Sequence, residues 1–118
     1  MTSLHRLGMF PLRLIVLLLP LVALAPAFAA DLKAAAALAG MTTGMAAGCD
    51  LDSKPVLLEF RALLDRSGVT QAEREKLNEV VTNSAGLGLS MQKQSGSMPC
   101  SEVKARMSST INTLRTAR

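Results

Sequence analysis

Cys49 and Cys100 are the two cysteines of the chain, and they are the first residues to ask about chemistry. Outside the reducing interior of a cell an even number of cysteines normally means a bridge. Joining these two would close a loop of about fifty residues, which chain-entropy arithmetic values at about 4 kcal/mol. The approach to Cys49, "MAAGCD" at residues 45–50, also has the small residues that precede a lipid-modified cysteine. Lipidation requires an apolar export segment running directly into the cysteine. Here Asp31, Lys33 and then "AAAALAGMTTGMAAG" stand in that place, and Cys100 would be left unpaired. A redox pair would need a spacing such as Cys-x-x-Cys beside a βαβ pattern, and neither is present. The expectation is a structural disulfide.

Methionine is the second possible source of chemistry. Met41 and Met45 lie four residues apart, one helical turn on a shared face, and thioethers are soft ligands suited to Cu(I). Met91 and Met98 should fall near the same end of a helical bundle as Met45, whereas Met107 belongs to an apolar stripe further on. The competing use of methionine is to fill irregular core space. Asp50 and Asp52 beside Cys49 resemble the start of a weak cation site, although helix capping is the commoner use of such residues.

Much other chemistry is excluded. The single histidine is His5, in the leader described below, and the chain has no tryptophan or tyrosine. That removes the usual general base and every Ser-His-Asp or Cys-His arrangement from the rest of the chain. "GLG" at residues 86–88 is too short for a nucleotide-binding loop. No enzyme, cofactor or resident metal site is expected.

The compartment follows from the first thirty residues. His5, Arg6 and Arg13 precede the apolar run Leu14–Leu24, broken only by Pro20, and "APAFAA" follows with Ala27 and Ala29 at the cleavage positions. This is the layout of a secretory signal, cut after Ala29, which leaves 30–118 as a single helical domain in the periplasm or outside the cell. The apolar run is shorter than the ~20 residues of a membrane crossing. Loss of Arg6 and Arg13 lowers the formal net charge from +4 to +2, and the remaining basic residues are interleaved with acids beside one aromatic, Phe60. Nucleic-acid binding is therefore not expected, nor is stable membrane insertion of the mature chain.

The elements that must position these residues are helices, because no sustained alternation of apolar and polar residues appears. A first helix runs from an Asp31 cap to about Gly48. A second begins near "DSKP", with Asp52 or Ser53 as cap and Pro55 in the first turn, and ends at Gly68. Its stripe is Val56, Phe60, Leu63 and Leu64. Thr70 and Glu73 have the spacing of a capping box and open a third helix, with a stripe of Leu77, Val80, Val81, Ser84, Leu87 and Met91. Gly86 and Gly88 weaken it, and the sequence leaves open whether the helix is continuous through them. Pro99 opens a fourth helix to about Thr116, with Cys100, Val103, Met107, Ile111 and Leu114 in line. Short connections make neighbours antiparallel, giving an all-α, up-down-up-down four-helix bundle with Cys49 and Cys100 at one end.

Ala36, Gly40, Gly44 and Gly48 form a row at four-residue intervals on the first helix. Small residues so spaced admit a neighbouring backbone. The row would seat helix two or four within the bundle, or else accept a helix from a second copy or another protein.

In length and cysteine placement alone the chain is similar to small periplasmic acid-stress chaperones; no motif is shared. That resemblance implies an acid-responsive chaperone, in which protonation of the carboxylates raises the charge to about +11 and self-repulsion loosens the bundle. The leading functional expectation is an exported interaction protein such as an inhibitor, an immunity-type partner or an envelope assembly factor. The chaperone and a Cu(I) carrier are the alternatives.

Overall fold

In the computed structural model, residues 32–94 and 96–117 are described, and all their regular structure is helical. The expected leader and the Asp31 cap lie outside these residues. Helix α1 spans 32–48, α2 Lys54–Ser67, α3 Gln71–Gln92 and α4 Cys100–Thr116.

Each boundary has a local cause. α1 is built mainly from alanine and other good helix formers, and it ends in two nested turns. Asp50 N–H donates to Ala47 O at 3.2 Å, and Leu51 N–H reaches back to Ala46 O at 2.9 Å. That double closure places Asp50 in the left-handed region, φ 55°. Asp52 turns the chain into α2, its carboxylate accepting the Lys54 N–H at 3.0 Å, while the Ser53 side chain makes no capping bond. Pro55 sits in the first turn and Gly68, at φ 65°, closes the helix. The capping box of α3 is complete: Glu73 N–H donates to Thr70 Oγ1 at 3.1 Å, and Thr70 N–H donates to Glu73 Oε1 at 2.9 Å.

α3 runs unbroken through Gly86 and Gly88, which resolves the point left open by the sequence. Close packing accounts for a glycine at position 88, where a Cβ would collide with the Met41 carbonyl of α1. The glycine costs helix propensity but lets two backbones meet.

Inter-helix contacts give the directions. Gly40 faces Val81 and Ser84, Gly44 faces Ala85 and Leu89, and Gly48 faces Gln92, so α1 and α3 run in the same direction. The Arg66 side chain donates to the carbonyls of Leu114, Arg115 and Ala117, setting the end of α2 beside the end of α4, while the Cys49–Cys100 bridge brings the start of α4 to the turn that leads into α2, so α2 and α4 run in the same direction. Thr42 bonds Thr110 while Cys49 meets Cys100, which sets α1 opposite to α4. These are the pairings of an up-down-up-down bundle.

The core is formed mainly by three helices. Ala35, Ala36, Ala39, Met45 and Ala46 of α1 meet Val56, Phe60, Leu63 and Leu64 of α2 and Val103, Met107 and Leu114 of α4. α3 adds only half-buried side chains, Leu77, Val80 and Val81 among them. Its expected stripe is therefore corrected at its C-terminal half, since Leu87 and Met91 are 54% and 46% exposed. Contact with a glycine row draws Val81, Ser84, Ala85, Gly88 and Leu89 inward and turns Leu87 and Met91 out. In α4 the place expected for Ile111 is shared with Thr110, which is buried, while Cys100 at the helix start is exposed rather than on the covered face.

Candidate functional site

Cys49 and Cys100 are joined, with Cα atoms 5.6 Å apart, and the bridge ties the end of α1 to the start of α4. Neither sulfur is free to act as a nucleophile or a metal ligand. Asp50 and Asp52 serve the backbone turn described above, and no group of three His, Cys, Asp or Glu side chains that could hold an ion occurs among the described residues.

The small row on α1 is occupied within the chain. Its neighbour is α3, neither of the two helices anticipated for it. A Cβ on Gly44 would lie 2.7 Å from Leu89 N and closer still to the Ala85 carbonyl. One on Gly40 would lie 2.8 Å from Ser84 Cβ. Both contacts are with parts of α3 that cannot swing aside. Ala36, the first member of the row, is wholly buried in the core.

Concave regions among the described residues include the following two. An open groove of about 490 Å³ is lined by Leu38 of α1, by Met98, and by Glu102, Ala105, Arg106, Ser109, Thr110 and Thr113 of α4. The α4 members recur at three- and four-residue steps and form one continuous helical face. Small side chains at Ala105 and Ser109 open the floor, whereas Glu102 and Arg106 supply opposite charges at one end. Thr110 of the groove lining is hydrogen-bonded to Thr42 at 2.9 Å, so these buried hydroxyls satisfy each other.

The second region is a pocket of about 260 Å³ at the disulfide end, lined by Met45, Met91, Gln92, Gln94, Gly96, Ser97 and Met98. Gln92 anchors its wall: the side-chain amide donates to the Met98 carbonyl and lies 3.5 Å from Cys49 Sγ. Three of the five methionines singled out by sequence are thus brought together. Met41 and Met107 do not line this pocket.

No protein-family model matches the chain, and no curated protein or solved structure matches it.

Among the titratable groups, Glu73 has a pKa held below its usual 4.5, first by the backbone N–H of Thr70 and then by the Thr70 hydroxyl. That shift belongs to the α3 cap and lies away from both concave regions. Sequence reasoning missed the groove. Its one available signal was the i, i+4 pair of small residues Ala105 and Ser109, on the side of α4 away from its apolar stripe. Among the described residues no helix is long and apolar enough to cross a membrane.

Proposed function

We propose that the chain is an exported interaction module, released by cleavage after Ala29 into the periplasm or the medium, and that it works by binding a segment of another protein rather than by catalysis. The groove between α1 and α4 carries this reading. An amphipathic helix docks by laying its apolar face into a groove on its partner. Ala105, Ser109 and Thr113 supply the floor, with Leu38 as the apolar wall and Glu102 and Arg106 at one end. The fitting occupant is an amphipathic helix. Met98 borders the trough, and methionine adapts its flexible side chain to differing partners.

The covalent evidence supports the compartment, because a long-range disulfide is characteristic of oxidising surroundings. Small residues spaced along α1 no longer supply the contact surface, since α3 covers them.

A photo-reactive residue placed at Ser109 in the producing cell tests the proposal. A discrete adduct should form there, should be absent when the same residue stands at Glu75 on the outer side of α3, and should be lost on Ala105→Arg. Equal labelling at the two positions would refute the groove as a docking site.

A further inference from the structure

The pocket at the disulfide end is unusual in its donors. Met45 comes from α1, Met91 from the last turn of α3 and Met98 from the segment before α4, yet all three line one cavity. The rest of its wall consists of the amides of Gln92 and Gln94, the Ser97 hydroxyl and Gly96. Among the described residues that line it there is no carboxylate, imidazole or ammonium group, and the adjacent cysteine sulfurs are tied up in the bridge.

Filling space explains some of these methionines and not others. Met45 is 6% exposed and packs in the core. Met91 is 46% exposed, so it fills no gap. Nor does helix propensity single it out, because leucine or glutamine would serve equally on an exposed turn. What distinguishes methionine at that place is its thioether.

Neutral, polarizable sulfur discriminates strongly among cations. Calcium and magnesium require oxygen donors, usually charged ones, and zinc favours thiolate, imidazole or carboxylate. A trio of thioethers suits the soft monovalent d¹⁰ ions. The three segments are also held in position before any ion arrives. The disulfide fixes the start of α4 to α1, and the Gln92 amide ties the Met98 backbone to the end of α3.

We infer that Met45, Met91 and Met98 form a binding site for Cu(I). This goes beyond protein binding in the groove; Met98 borders both cavities, but Met45 and Met91 line this one and not the groove, so either activity can fail without the other.

Silver(I) is the practical probe, being d¹⁰ and stable in air without a reductant that would open the disulfide. The chain as processed by the producing cell, its bridge verified by intact mass, is labelled with ¹³C at the methionine methyl groups and titrated with Ag(I). One ion should bind per chain, shifting the methyl signals of Met45, Met91 and Met98 and leaving those of Met41 and Met107 in place. Met91→Leu and Met98→Leu keep the apolar volume and remove the sulfur, and each should weaken binding at least about tenfold; Met41→Leu should leave it unchanged. Cu(I) delivered anaerobically from a competing chelator should follow the same ranking. Absence of a one-to-one complex, or affinity indifferent to Met91→Leu and Met98→Leu, would overturn the site. Because Met91 is a surface residue, loss of the fold cannot imitate the expected result for its variant.

Discussion

Thr42 of α1 and Thr110 of α4 hydrogen-bond to one another at 2.9 Å between the two helices, each almost completely buried. A polar pair in such a place is worth little when complete and costs much when halved, because the orphaned hydroxyl has lost water without gaining a partner. Thr42→Val should therefore lower stability by about 1–3 kcal/mol. Thr42→Val combined with Thr110→Val should be closer to wild type than either single change. Urea unfolding of the three variants measures this, and strictly additive losses would show that the pair is not coupled.

Glycine substitutions should separate packing from propensity. Gly44→Ala forces a Cβ against Ala85 and Leu89, so it should cost roughly 1–3 kcal/mol as overpacking between α1 and α3. Gly86 has open space around it within an unbroken helix. Gly86→Ala should stabilise by up to about 1 kcal/mol through backbone entropy and helix propensity. Thermal unfolding of the two proteins checks the opposite signs.

The α3 cap makes a pH-dependent contribution of definite sign. Hydrogen bonds from Thr70 lower the Glu73 pKa in the folded chain. The stabilisation is thus present above the unfolded pKa and disappears as pH falls through the lower folded value. Glu73→Gln should melt below wild type at neutral pH, with the gap closing as acid protonates the glutamate. A gap in Tm that stays constant from neutral pH well into acid would contradict this.

Removing the bridge should matter more than any of these single contacts. Its partners are 51 positions apart in sequence. Replacing both Cys49 and Cys100 by alanine should lower stability by about 4 kcal/mol on the chain-entropy model. Guanidinium unfolding under matched conditions provides the measurement, with intact mass confirming that the parent protein lacks the two thiol hydrogens.

The local features of this protein were legible in its sequence because they depend on neighbours in the chain. Pro55 in a first turn, Gly68 in the left-handed region and the Thr70–Glu73 capping box each involve only a few consecutive residues. Helical periodicity likewise identified Val56, Phe60, Leu63 and Leu64 as the buried face of α2. The cysteine pair and the helix count together fixed which ends of the bundle meet.

Tertiary structure decided where those helices turn and whom they touch. Four small residues in register announce that a backbone can come close, but they do not say which one; α3 occupies the place because its own Ala85 and Gly88 complement the glycines of α1. That choice rotates α3, exposing Leu87 and Met91 where a stripe drawn from sequence would bury them. The rotation also brings Met91 to the pocket shared with Met45 and Met98, three residues whose meeting depends on separate segments of the chain. Spacing along one helix defines a face, whereas the facing partner is set by the packing of all four.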